Sequence, residues 1–292
     1  MLPLEVRWPL GRCVTVPQSM VVLRRWMHAL RLSPIHPQFF AYRYERIRYQ
    51  IAAELCSGKV LDIGCGRQPL RSYLPEDCHY TGLDYPATGN WYDAKPSVHA
   101  DAARLPFADQ SFDTVVCLEV LEHLPSPMEA VLEARRVLKP QGRVILSTPF
   151  LYPIHDAPHD YQRWTCHGLE LLAHNAGFHL ESTRSFGGPL ETGALSLNLG
   201  LAWQALNSPP MWRGPLLLLC ALLIPTTNLV AAACARCRLS NDPTPFATDY
   251  LATLKVRERP DPSKHADGGH HANPSTTPQD PVPTTDNSPS GR

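Results

Sequence analysis

Val60 to Leu70, VLDIGCGRQPL, runs an apolar strand pattern directly into two glycines, Gly64 and Gly66. Glycine carries no Cβ, so the chain can bend sharply there and a ligand can approach the backbone. A strand ending in such a turn is how doubly wound α/β sheets open their ligand crevice. The dinucleotide fingerprint needs a third glycine three places after the second, and Pro69 stands there instead, which disfavours NAD or FAD.

Working outward, short apolar runs alternate with helix-like stretches: HYTGLD (79–84), SVHAD (97–101), FDTVVCL (112–118) and GRVILST (142–148). This alternation predicts a parallel sheet covered by helices on both faces, with ligands at the carboxyl ends of its strands. Upstream, residues 38–57 read as a helix that Gly58 stops. Three acids fall at strand ends on that edge: Asp62, Asp84 and Asp101. Asp84 is placed for ribose hydroxyls, and Asp101 for an adenine amine.

The runs VLDIGCG, GLD, DAARLPFADQSFDTVVCLEVLEHLPSP and EARRVLKPQGRVILSTP resemble, at their joint spacing, a class I S-adenosylmethionine-dependent methyltransferase. The resemblance covers residues 59–178, and its subgroup includes small-molecule and quinone methyltransferases. It implies a Rossmann-like, mostly parallel seven-stranded sheet with an antiparallel last strand. It implies S-adenosylmethionine as cofactor, with Asp62, Gly64 and Gly66 at the methionine moiety, Asp84 at the ribose and Asp101 with Ala102 at the adenine. Leu118 and Glu119 would close over it. Where the family often has another glycine, this chain has Gln68, and the family's frequent histidine is His123, expected to pack under the cofactor or substrate loop rather than to act as the base. The implied reaction is methyl transfer to a small or lipid-linked acceptor, at oxygen in preference to nitrogen or carbon. The rivals are an inactive methyltransferase-fold scaffold tethered to a membrane and an NAD-dependent oxidoreductase.

After the fifth strand, LSTPFLYPIHDAPHDYQRWT (146–165) crowds together two His-Asp pairs, two tyrosines, an arginine and a tryptophan. Three readings of this run stay open. His155 and His159 with Asp156 and Asp160 have donors for a divalent cation, the same residues can form His-Asp dyads, which is the reading favoured, and a self-satisfied loop also accounts for them. The expected catalytic set is His155, His159 and Asp160, with no metal assigned. Arg163 offers a partner for an acceptor carboxylate or phosphate, Tyr152, Tyr161 and Trp164 a wall, and Asp156 a further contact. Pro158 argues for a loop here. Thr165 is placed to cap a helix that Gly177 ends.

Residues 190–240 are an apolar insert before the predicted last strand, DYLATLKVRE (249–258). Residues 215–235 alone are about long enough to span a bilayer, but Pro225, Thr226, Thr227 and Asn228 are expected to break the helix. Two strands of one sheet lie on one side of a membrane, so a single crossing conflicts with that last strand. A dipping hairpin or a lid is expected. Residues 18–32 fit a helix with Arg24, Arg25, His28 and Arg31 on one face beside Trp26, which suits a membrane surface or packing on the domain itself.

The organisation expected is N-terminal helices over 1–57, the sheet domain over 58–258, and a disordered Pro/Ser/Thr/Gly/Asp-rich tail over 259–292. Lys plus Arg and Asp plus Glu number 27 each, so no net field recruits nucleic acid. Nine scattered cysteines and an N-terminus interrupted by prolines suit a protein of the reducing cytoplasm, without a secretory signal, at its membrane face if the apolar segments dock. Cys234 and Cys237 lack the second pair that a structural zinc needs.

Overall fold

The computed structural model describes residues 5–7, 13–15, 29–88, 96–235 and 244–257. Two short strands, β1 (Glu5–Arg7) and β2 (Cys13–Thr15), pair antiparallel as a sheet of their own. The main sheet takes β3 (Lys59–Ile63), β4 (His79–Asp84), β5 (Val98–His99), β6 (Phe112–Leu118), β7 (Leu138–Pro149), β8 (Phe178–Phe186) and β9 (Asp249–Val256). Helix α1 (Phe39–Glu54) precedes it, α2 (Pro127–Val137) joins β6 to β7, and α3 (Cys166–Asn175) joins β7 to β8. Helices α4 (Pro189–Asn207) and α5 (Pro210–Ala235) form a hairpin between β8 and β9.

The seven strands lie in the order β5-β4-β3-β6-β7-β9-β8. Strands β5, β4, β3, β6 and β7 run parallel, and β9 is antiparallel to both β7 and β8. The expected mostly parallel sheet with an antiparallel last strand is therefore the one observed. Chain order reverses between β3 and β6, so the loops leaving their carboxyl ends part and open a crevice there.

Alternation along the strands builds two cores. Leu61, Ile63, Val115, Cys117, Val144 and Leu146 face α2 and α3, which contribute Val131, Ala134, Leu169 and Leu172. Val60, Val116, Leu118 and Ile145 face the other way and meet Ala52, Ala53 and Cys56 at the end of α1. Helix α1 thus packs on the sheet directly. Gly58 ends that helical region at φ +62°, where a Cβ would stand 2.5 Å from Asp113 Oδ2. Thr165 caps α3 by accepting from the Gly168 N–H at 2.9 Å, and Gly177 follows its end at φ +79°.

The expected break in the apolar insert is not found, for α5 runs unbroken through Pro215 and Pro225. Pro225 has no N–H for the Ala221 carbonyl. In the next turn the Thr226 and Thr227 hydroxyls add bonds to the Leu222 and Leu223 carbonyls at 2.7 and 2.9 Å. Asn228 is buried, donates to the Pro34 and His36 carbonyls and accepts from Asn198 Nδ2 at 3.0 Å. Within the run that reads as a breaker, Thr227 and Asn228 thus pin α5 to α4, and Asn228 pins it to the turns before α1. Residues 18–28, Cys237 and the tail 259–292 lie outside the described residues, while Leu30–Gln38 form turns.

Candidate functional site

The glycine turn after β3 is built against its neighbours. The Gly64 and Cys65 amides donate to the Leu83 carbonyl at 2.8 and 3.0 Å, and a Cβ on Gly64 would stand 2.3 Å from Val120. Gly66, at φ +50°, has nothing within 4 Å of its Cβ position, so the turn leaves a hollow on that side. Gln68 adopts the left-handed conformation, φ 58° and ψ 42°, doing without the glycine often found there. Asp84, at the end of β4, accepts from Gly66 N at 2.7 Å through one oxygen and from Tyr85 N at 2.8 Å through the other, which also takes the Thr88 hydroxyl. This carboxylate therefore fixes the glycine turn and faces the hollow. Asp101 accepts from Ala103 N at 2.9 Å, beside buried Ala102.

A cavity of about 800 Å³ opens at this edge, lined by Gly64, Gly66, Asp84, Asp101, Ala102, Leu118 and Glu119. Tyr152, His155, Asp156, His159 and Tyr161 line it too, with Tyr42 and Tyr49 from α1 and Leu195 from α4. Hollow, acceptor-rich turn and volume fit a nucleoside cofactor together with a small acceptor. The cavity joins most, though not all, of the residues singled out from the sequence.

Asp62 is not on its wall. It lies beneath the turn, takes the Tyr80 hydroxyl at 2.7 Å, and burial raises its carboxyl to about 7 against the pull of that hydrogen bond. Trp164 is also off the wall, packed against the core under α2 and α3. Asp160 and Arg163 lie behind the wall and bind each other. Arg163 Nη2 donates to Asp160 Oδ2 at 2.7 Å and Nη1 donates to Oδ1 at 2.5 Å, while Arg163 also holds the Tyr152 and Pro153 carbonyls. Burial would raise the Asp160 carboxyl, yet Arg163 and the His155 amide hold it down to about 2. The pair is a clamp that closes the loop on itself, and Asp160, Arg163 and Trp164 are not among the residues that line the cavity.

The clamp sets the histidines. Asp160 Oδ2 accepts from the His155 amide at 2.9 Å and lies 3.3 Å from its Nδ1. His155 Nε2 stands 3.8 Å from Glu122, and His123 Nε2 stands 3.6 Å from the same carboxyl. His123 Nδ1 meets the His159 carbonyl at 2.7 Å, so His123 packs under the loop. His159 Nδ1 pairs with the Tyr161 hydroxyl at 3.0 Å. Tyr152 accepts from Gln38 at 2.9 Å, and burial pushes its phenol to about 12, so it stays protonated.

Glu122 was not foreseen. It is fully buried and neither of its carboxyl oxygens meets a hydrogen-bond donor. Burial, reinforced by the charge of Glu119, raises its pKa well above the usual carboxylate range. Among the described residues Glu122, His123 and His155 bring ligand atoms within 4.8 Å of one another, a set with the chemistry to hold a divalent cation. The sequence shows Glu122 only as an acid next to His123; its meeting with His155 depends on the loop after β7. Arg48 was missed too: buried on α1, it donates to Asp249 at 2.9 Å and lies 3.6 Å from Glu119. Burial works against its charge, and those two acids offset that. A cation amid the aromatic and aliphatic residues of YERIRYQI is its one sequence signal.

Residues 61–146 match the methyltransferase domain family. Over 155 residues the chain is 35% identical to a protein of Mycolicibacterium smegmatis named "Probable S-adenosylmethionine-dependent methyltransferase", covering 49% of this chain and 60% of that one. It is 31% identical over 160 residues to a ubiquinone biosynthesis O-methyltransferase of Pseudomonas aeruginosa, covering 51% and 66%. It is 36% identical over 108 residues to a 27-O-demethylrifamycin SV methyltransferase of Amycolatopsis mediterranei, covering 32% and 40%. The chain spans 60% and 66% of the length of the first two relatives, slightly under two thirds.

Proposed function

We propose, from the premise that residues 61–146 are a methyltransferase domain of the S-adenosylmethionine-dependent class, that this chain methylates an oxygen of a small or lipid-linked acceptor. One observation carries the reading: the glycine turn with Asp84 and Asp101, and the loop with His155, His159 and Tyr161, line one cavity of about 800 Å³. The oxygen preference is supported by the O-methyltransferases among the relatives.

When bound, S-adenosylmethionine supplies an electrophilic methyl group on a sulfonium. Asp84 holds the ribose and keeps the Gly66 turn in shape, Asp101 and Ala102 take the adenine, and Gly64 and Gly66 take the methionine end. Glu119 and Leu118 close the cavity beneath. The acceptor lies between these residues and the loop, walled by Tyr152 and Tyr161. His155 takes the proton of the acceptor hydroxyl on Nε2, because Asp160 holds its Nδ1 side and the Asp160–Arg163 clamp fixes the ring. Methyl transfer needs alignment more than covalent help, so the loop's rigidity carries as much of the rate as the base.

The test is calorimetric titration of the full chain in mild detergent with S-adenosylmethionine and, separately, NADH. Saturable binding of the former, weakened at least about tenfold by Asp84→Ala, is expected, since that variant loses a charge-assisted hydrogen bond to the turn. Failure of the folded protein to bind S-adenosylmethionine refutes the proposal, and binding of NADH instead favours an oxidoreductase.

A further inference from the structure

We infer that the α4–α5 hairpin is a bilayer-docking surface: it lies along a membrane with the exposed face of α5 in the hydrocarbon of one leaflet.

Charge is the first observation. Residues 189–235 contain two charged side chains, Glu191 and Arg213. Glu191 is buried and takes the Tyr44 hydroxyl. The outer surface of two long helices therefore carries a single charge, whereas a water-facing helix side carries many.

The shape of the apolar surface is the second. Cys220, Ile224 and Ala231 mark the narrow stripe by which α5 packs inward. Met211, Leu218 and Leu222 are 76%, 75% and 66% exposed, and Leu219, Leu229 and Val230 are exposed as well. At about 100° per residue these six span about 120°, and exposed Ala221 widens the arc to about half the circumference. A partner helix meets a narrow seam, while a fluid hydrocarbon covers a broad arc.

Polar groups are withdrawn from that arc. Asn198, Thr227 and Asn228 satisfy one another between the helices, and exposed Thr226 bonds back to Leu222, as an apolar solvent demands. At the turn sit Trp203, Trp212 and Arg213, with Arg213 donating to the Ser208 carbonyl at 3.2 Å. Tryptophan and arginine favour headgroup level, so the turn stays at the interface and the hairpin lies flat rather than end-on.

Topology agrees. The hairpin leaves β8 and returns to β9, which pair with Phe186 opposite Asp249, so both its ends lie on one side and α5, though long and apolar enough to span, does not cross alone. Leu195 of α4 lines the cavity, so docking brings that cavity beside the bilayer. The surface itself is independent of the methyl-transfer reading.

The experiment is flotation of the full chain with phosphatidylcholine vesicles in high salt after detergent removal, with S-adenosylmethionine titration and circular dichroism run alongside. Wild type is expected to float. Leu218→Glu/Leu222→Glu/Leu229→Glu is expected to lose at least about tenfold of its bound fraction, with its helical spectrum unchanged. Should the triple variant misfold, Leu218→Glu alone carries the comparison, with a smaller loss expected. A wild type that stays off vesicles as a monodisperse detergent-free dimer assigns the face to a second copy and overturns the inference, as does a folded triple variant that floats equally well. Cofactor binding is read separately, so its failure would count against the chemistry and not against docking.

Discussion

At the scale of single residues, the site depends on carboxyl groups whose surroundings push them in opposite directions. Asp160 is held down to about 2 by Arg163 and the His155 amide although burial opposes this. Its folded pKa lies below the unfolded value of about 3.9, so its contribution is present above about pH 4 and is lost as pH falls toward 2, a difference of about 2–3 kcal/mol. Asp160→Asn should therefore cost roughly that much at neutral pH in urea unfolding, and the gap to wild type should close near pH 2. Asp62 goes the other way, raised to about 7 by burial. Its contribution is full below about pH 4 and is lost as pH rises through about 7, so Asp62→Asn should gain on wild type between pH 5 and pH 8. Unfolding curves at those two pH values check the sign; a constant gap would mean that Asp62 titrates normally. The sequence shows these acids as strand-end or loop carboxylates, but not which are shielded, because shielding comes from residues far along the chain such as Tyr80 and Arg163.

At the scale of elements, the strands were the most legible part. Each predicted apolar run lies within or overlaps a strand of the main sheet, because a buried strand shows its period and its bounding turns locally. The α5 helix was the least legible. Pro225 and the polar run after it read as a break, while in the folded chain Asn228 finds three partners, two of them backbone carbonyls before α1. Each single variant, Asn198→Leu or Asn228→Leu, should cost about 1–3 kcal/mol by leaving buried groups unpaired. The double variant should cost less than the sum of the two, because the bond between them is lost only once. A thermal-melt cycle with purely additive losses would show that the two side chains do not interact in solution.

At the scale of the whole molecule, Arg48 and Asp249 join helix α1 to the last strand across 201 residues of chain. Arg48→Met would leave buried Asp249, and the partly exposed Glu119 beside it, without their cation, and should destabilise the protein by about 3–5 kcal/mol. Arg48→Met/Asp249→Leu should recover a large part of that loss, since replacing both partners with apolar groups removes the uncompensated charge. Chemical unfolding of the two variants decides it, and equal losses would mean that the pair acts through Glu119 instead.

The sequence by itself determined the parallel sheet, the glycine turn, the strand-end acids and the capped helix after the loop, because each is written in residues within a few positions of one another. Strand order and loop docking decided the rest. They joined Asp160, a catalytic candidate, to Arg163, a substrate-contact candidate, in a clamp, packed half-buried Trp164 against the core, set Glu122 against two histidines and kept α5 whole. The physical reason is that a side chain's charge state and partners follow from what the fold packs against it, and those neighbours come from distant parts of the chain.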